Sequence, residues 1–463
     1  MTDTQLAAPK GRHAEALAAL RQDLDGLRFY DDERALEARS KDYFWYSPIL
    51  DAELKDKRAE LVVIPQDQDE VIRVAAAAAR HKVPVTLRGG GTGNYGQCVP
   101  LDGGLVIDLT RLNRILEITP GHAHVEAGIR MSKLDDAARE TGQELTMYPS
   151  TRSLATIGGF IAGGSGGIGS LRHGMLRDEG NLTYLKVLTL EEEPQVIELH
   201  GPDVQKVHHA YGTNGIVLEV GLALTPSTDW LHTAALFDGY DKALRFATAA
   251  QEDGLDCYLL TPVERRFAPY YRKFEGYFPE DRDAVFAMVA PTDMDRFRAR
   301  AEAEGATISF AMTMEEIHEN RLQPAYECGW NHTTLQALKV DKGWTYLQVA
   351  YPRPFDPALV MRQMERYGDE MFWHHEMARQ DGEIQIFALP LVRFRGKDAM
   401  YALIAELEAD GCTIFDPHVV TIEDGGMKTI DTAQIDFKKR ADPYGLMNPG
   451  KTRGWHPDMA RSA

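Results

Sequence analysis

The chain of 463 residues is longer than one hydrophobic core usually fills, so two domains are expected. Its 51 basic and 70 acidic side chains give a net charge of −19, and no basic cluster interrupts that balance, which argues against nucleic acid and anionic membrane as partners. No run of 18 apolar residues occurs, and the opening MTDTQLAAPKGRHAEALAALRQDL lacks a basic stretch followed by an apolar core, so a cytoplasmic protein is expected. Four cysteines, Cys98, Cys257, Cys328 and Cys412, lie far apart without CxxC spacing, which predicts reduced thiols and no metal site.

In chain order, Ala14, Leu17, Leu20 and Leu24 fall at helical spacing within residues 11–25. A short strand at 61–64 ends before Pro65, and the stretch 67–80 begins with acids and ends with a base, as a helix dipole favours. Val83, Val85 and Leu87 alternate with Pro84 and Thr86, a strand ending at Arg88. Five glycines follow in quick succession: Gly89, Gly90, Gly91, Gly93 and Gly96. A loop so rich in glycine exposes successive main-chain N–H groups, which form a concave anion site, and Arg88 adds positive charge at its mouth. We read a phosphate cradle. The dinucleotide fingerprint is the rival, with Asp108 some twenty residues on, but it requires a helix after the last glycine. Residues 94–104, NYGQCVPLDGG, carry a proline and three glycines and no apolar period, so no helix is expected there.

Beyond the loop, strands at 105–109 and 124–128 flank a turn at Pro120–Gly121, and Ser132 is expected to cap a helix over 132–141. Residues 156–174, TIGGFIAGGSGGIGSLRHG, hold seven glycines between Gly158 and Gly169 among Ile157, Phe160, Ile161 and Ile168. A solvated linker would lack those apolar residues, so main chain packed against a flat ligand is expected. A hairpin over 182–199 and a strand with Ile216, Leu218, Val220 and Leu222 on one face lead to a domain boundary at Thr225–Pro226. From 227 to 425, helical periods at 240–252, 294–304 and 357–367 alternate with strand-like runs at 284–289, 308–312, 345–350 and 384–391. That alternation predicts an antiparallel sheet with helices on one face, and an α+β class for the whole chain. The expected division is 1–226, 227–425 and 426–463.

Read together, the RGGGTG loop, DLTRLNRI at 108–115, VEAG at Val125–Gly128, Pro149–Ser150, ATIGG at Ala155–Gly159 and DPYGLMNPGK at Asp442–Lys451 resemble the vanillyl-alcohol oxidase and p-cresol methylhydroxylase (PCMH) superfamily. The resemblance covers about 55–227 and the last thirty or so residues. It implies a two-domain PCMH-type FAD-binding fold, a cap domain over the substrate and a carboxy-terminal segment that returns beside the flavin. FAD would be held by Arg88, Gly89, Gly90, Gly91, Thr92, Gly93, Asn94 and Tyr95, and by Pro149, Ser150, Ala155, Thr156, Gly158, Gly159, Ser165 and Gly169. The adenine would lie near Gly215, Ile216 and Val217, and Asn448 and Lys451 would stand at the flavin edge. Relatives with covalent flavin carry a histidine where Thr92 stands here, so non-covalent FAD is expected, and Pro149 is the residue suspected of setting oxygen access to the flavin.

The glycine loop and NPGK ending are nearest to the glycolate oxidase and D-lactate dehydrogenase-like branch. Its metal-site histidines have no counterpart here: Glu423-Asp424-Gly425-Gly426 places an aspartate where that branch has histidine. The implied activity is oxidation of an alcohol or 2-hydroxy acid by hydride transfer to flavin N5, with oxygen or another acceptor taking the electrons onward. The alternatives are an alkylglycerone-phosphate synthase-like exchange without net redox and a flavin-binding protein without turnover. Three polar clusters among aromatics supply candidates for the chemistry: His332 and His374 for the base, Arg393 for a substrate carboxylate, and Glu423. A small-molecule substrate is implied, and a homodimer is the commonest arrangement for such enzymes.

Overall fold

The computed structural model describes residues 11–426 and 429–460. Met1–Lys10, on which part of the expectation about export rests, lie outside the described residues, as do the extreme ends of the 1–226 and 426–463 units. Among the described residues no helix is long and apolar enough to cross a membrane.

The first sheet is mixed, in the order Phe29–Tyr30, Leu61–Val63, Leu105–Asp108, Val85–Arg88. Leu61–Val63 and Val85–Arg88 both run parallel to the central Leu105–Asp108, as strands buried on both faces do. The crossing helix Gln68–Arg80 starts where the Asp67 carboxylate accepts from Glu70 N, and it buries Val71, Val74, Ala75 and Ala78. The glycine loop leaves the carboxyl end of Val85–Arg88, and no helix follows it. The far end of the chain returns to this strand: Val85 N donates to Leu446 O at 2.8 Å and Asn448 N to Val85 O at 2.7 Å.

A second, antiparallel sheet is built around the long strand Ile216–Pro226, which pairs with His122–Glu126, Leu182–Leu188 and Gln143–Leu145. The hairpin of Leu182–Leu188 with Val196–His200 forms one edge. The neighbouring helix is Met131–Arg139, which corrects the expected Ser132 cap. Met131 N and Ser132 N donate to Ala155 O and Arg152 O, so the 151–155 loop satisfies the first turn and no side-chain cap is needed. The second glycine segment contains a short helix, Ile157–Gly163, capped by Thr156.

The cap begins with an antiparallel sheet of Leu231–Phe237, Cys257–Val263, Asp283–Val289 and Thr307–Met312. Tyr240–Glu252 and Met294–Ala303 cover one face through Ala243, Phe246, Ala247 and Phe297. The other face is not open: Phe267, Tyr271, Phe274 and Phe278, from short 3₁₀ turns and the loop after them, pack on Phe286 and Phe310. The expected continuous strands at 345–350 and 384–391 are each broken in two. Trp344–Tyr346 pairs with Leu391–Arg393, whereas Gln348–Ala350 pairs with Glu383–Ala388 and Thr413–Phe415. Pro390 lies at the break and has no N–H to continue a ladder.

The helix Thr432–Ala441 carries a buried ion pair that shapes the return. Lys438 Nζ donates to Asp442 Oδ2 at 2.6 Å and to Thr213 O at 2.8 Å, while Asp442 also accepts from Leu446 N and Met447 N. Removing one partner strands the other charge in the interior. We expect Asp442→Ala to lower unfolding stability by about 3–5 kcal/mol, read from urea denaturation of the full chain; a loss below about 1 kcal/mol would show that the return does not depend on the pair.

Candidate active site

Both glycine segments and the cap line one cavity of about 550 Å³, within the usual size range of cofactor and ligand sites. The two segments touch main chain to main chain. A Cβ on Gly90 would lie 2.2 Å from Leu154 O, and one on Gly89 would lie 2.1 Å from Thr156 Oγ1. Among the described residues, none of the main-chain N–H groups from Gly89 through Tyr95 donates to a protein acceptor. Gln97 Oε1, buried on the same wall, also lacks a protein donor. Open amides on a glycine cradle and an unsatisfied acceptor fit a phosphate-bearing dinucleotide such as FAD.

The cavity wall includes the whole run Arg88–Tyr95, and with it Pro149, Ser150, Ala155, Thr156, Gly158, Gly159, Ser165, Gly215 and Val217. Arg88 is partly committed elsewhere, since Nη1 donates to Lys41 O at 2.6 Å and meets Cys98 Sγ at 3.3 Å. Four expected cofactor residues stand off the wall. Ile216 points into the core beneath the first sheet. Gly169 is a turn residue with φ +100° whose N–H donates to Tyr258 O. Asn448 works behind the wall: its Nδ2 donates to Gln97 O at 2.7 Å and to Tyr211 O at 2.6 Å, tying the glycine loop to the loop before Gly215. Lys451 donates to Gly96 O and lies buried near Asp42. Burial pulls this lysine down to about 8 and pushes Asp42 up to about 6, each charge partly offsetting the other.

Of the four catalytic candidates, the wall holds only His332. It is 9% exposed, in the first turn of the helix Asn331–Leu338, with Nδ1 2.6 Å from Glu327 Oε2. His374 is fully buried off the cavity, its Nε2 2.8 Å from Glu376 Oε1 and 2.9 Å from Thr261 Oγ1. Its neighbour His375 faces the opposite way, to the Tyr240 hydroxyl. Arg393 is a surface residue, paired with Asp341 at 2.8 Å and stacked over Trp344. Glu423 accepts from Thr452 Oγ1, Arg453 N and Gly454 N, and so fastens the tail. Among the described residues no three His, Cys, Asp or Glu groups stand together as metal ligands.

Sequence reasoning missed most of the cap wall. Gln348 and Ala350, Gln385 and Phe387, and Thr413 and Phe415 line the cavity, while the alternate Ile386 and Ile414 belong to the core behind and Val349 belongs to both. Period-two alternation in QVA, QIF and TIF was the available signal. Asp42, Tyr43 and Tyr46 were missed as well; the aromatic run YFWY at 43–46 marks them. Asp416 also lines the cavity, and burial pushes its carboxyl up to about 6.

Residues 59–196 match the FAD binding domain family. Glycolate oxidase subunit GlcD of Escherichia coli K12 is 28% identical over 247 residues, 51% of this chain and 47% of that protein. D-lactate dehydrogenase of Archaeoglobus fulgidus is 30% identical over 223 residues, 46% and 47% of the two chains. An uncharacterized FAD-linked oxidoreductase of Mycobacterium tuberculosis H37Rv is 31% identical over 206 residues, 41% and 43%. The chain thus spans somewhat under half the length of these curated relatives. Among solved structures, an alkyldihydroxyacetonephosphate synthase superposes with a TM-score of 0.70 at 15% identity, covering 97% of this chain and 88% of that one. A Physcomitrella patens BBE-like 1 variant gives 0.64 at 12% identity, covering 95% and 100%. At these identities the likeness is one of fold.

Asn448→Ala is expected to weaken FAD retention about 10-fold, since a bridge of two buried hydrogen bonds is worth roughly 1–3 kcal/mol; FAD fluorescence released on dilution reads it, and unchanged retention would remove Asn448 from the framework of the site. Asp416 sets a pH dependence. Because its folded-state pKa is raised, its stabilising contribution is complete below the unfolded value near 3.8 and is lost as pH rises through about 6. The stability of the wild type relative to Asp416→Asn should therefore fall by about 3 kcal/mol at most between pH 4 and pH 7; parallel urea midpoints across that range would contradict it. Open amides, glycine contacts and the family match over 59–196 lead to one conclusion: the chain is a flavoprotein that carries an FAD binding domain over those residues, in a fold shared with the two solved structures.

Proposed function

We propose that this protein is an FAD-dependent oxidoreductase that oxidises the CH–OH group of an alcohol or 2-hydroxy acid. FAD supplies, when bound, the acceptor for the hydride. The names of the relatives support the substrate class: glycolate oxidase, D-lactate dehydrogenase and D-2-hydroxyglutarate dehydrogenase. The carrying observation is His332, held on the cavity wall with a carboxylate at its back. Imidazole is the usual general base at neutral pH. Nδ1 lies 2.6 Å from Glu327 Oε2 without the alignment of a hydrogen bond; a small rotation of either side chain on substrate binding would align them, leaving Nε2 to take the hydroxyl proton and the Glu327 charge to stabilise the imidazolium that results. Trp330 and Phe387 line the same cavity and supply apolar surface beside it. In this reading 1–226 and 426–463 serve the cofactor and 227–425 the substrate.

The test is anaerobic addition of hydroxy acids and alcohols to the purified holoprotein while the flavin absorbance is followed. Bleaching by one class of compound supports oxidation, whereas an exchange enzyme or a flavin scaffold keeps its oxidised spectrum. His332→Gln should slow bleaching roughly 10²–10⁴-fold with FAD content unchanged. Bleaching at the wild-type rate would assign the base elsewhere.

A further inference from the structure

We infer that the cap carries a subsite for an aromatic ring, and that the substrate is a ring-bearing hydroxy compound rather than a two- or three-carbon acid. This rests on the oxidation reading above and narrows it. The subsite is a row of three rings. Trp330 and Phe387 lie 6.2 Å apart between centroids at 39°, and Phe387 and Phe415 6.3 Å apart at 43°, both tilted pairs. All three rings line the cavity, and Met175 closes the row against Phe387.

Strand register explains the row. Ala350 pairs with Phe387 on one side and with Thr413 on the other, and Gln348 pairs with Phe415. The two phenylalanines thus stand on strands that flank Ala350, and its single methyl lets their rings meet beside it in one apolar cluster. The Trp330 backbone is set firmly: its main-chain N–H donates to the buried Glu376 carboxylate at 2.6 Å, and its φ is +52°. A bulky residue keeps that backbone conformation only when its surroundings hold it.

The polar end of the wall adjoins this row. Asn331 and His332 follow Trp330 directly and line the same cavity, and Asn331 Oδ1 is buried without a protein donor. Gln385, in contrast, is spent: it donates to Tyr351 O and Ile386 O and accepts from Arg353 Nε. The arrangement suits a ligand with a hydroxyl at Asn331 and His332 and a flat apolar group on the ring row. A two- or three-carbon acid presents at most one methyl group and leaves the rings without a partner, whereas aromatic pairs add to the burial of apolar area.

The experiment uses holoprotein and probes that cannot reduce the flavin: phenylacetate and benzamide beside acetate and acetamide, titrated against the oxidised flavin spectrum. At least one ring-bearing probe should bind about 10-fold or more tighter than its ring-free counterpart, and that ratio should shrink in Phe415→Ala, which removes one ring of the row, and in Ala350→Leu, whose larger side chain would displace the two phenylalanine rings. FAD content equal to wild type certifies the fold of each variant. Equal binding of ring-bearing and ring-free probes overturns the subsite, as does bleaching by glycolate or lactate with no response to any ring compound; the latter leaves the oxidation reading standing. Ring-selective binding that both variants abolish, with no hydroxy compound bleaching the flavin, upholds the subsite and sinks the oxidation reading instead.

Discussion

The contact between the two glycine segments sets the rest of the site. Gly89 and Gly90 lie so close to Thr156 and Leu154 that a Cβ on either would overlap the neighbouring segment. Each such glycine costs on the order of 0.5–1 kcal/mol of chain entropy on folding. What that cost secures is a stretch of main chain with amides left open toward the cavity, held at its start by the parallel pairing of Val85–Arg88 with Leu105–Asp108. A side chain in this contact would separate the segments and close the cradle.

Around that contact the protein places buried charge with care, which an acidic chain can do only by pairing it. Lys438 with Asp442 shapes the returning tail, and Lys451 near Asp42 lies beneath the glycine loop. Both lysines also donate to main-chain carbonyls, of Thr213 and Gly96, so each charge is held by hydrogen bonds as well as by its partner. The tail thereby reaches loops far from it in sequence. Across the cavity, the cap contributes an alternating sheet face whose inward residues belong to the site and whose outward residues belong to the core.

Local pattern carried much of this. The helices Tyr240–Glu252 and Pro357–Tyr367 are legible because apolar spacing near 3.6 persists over several turns, and the glycine loop is legible because no other residue type suits it. Less legible was any feature in which the partner is distant. Ser132 looked like a cap, but carbonyls of the 151–155 loop satisfy that helix end. The run 345–350 looked like one strand, but it changes partners midway. His374 and His332 look alike in sequence, yet one is sealed among Thr261 and Glu376 and the other faces the cavity.

The amino-acid sequence by itself determined the cofactor cradle, because glycine spacing after a strand constrains backbone geometry locally. It determined the α+β character as well, because periodicity is a property of neighbours along the chain. Only the tertiary structure decided which histidine shares a wall with the cofactor loops, which arginine is a surface pair, and which aromatic rings meet across three strands. Those depend on strand register and on residues hundreds of positions apart, and neither is written in any local stretch of chain.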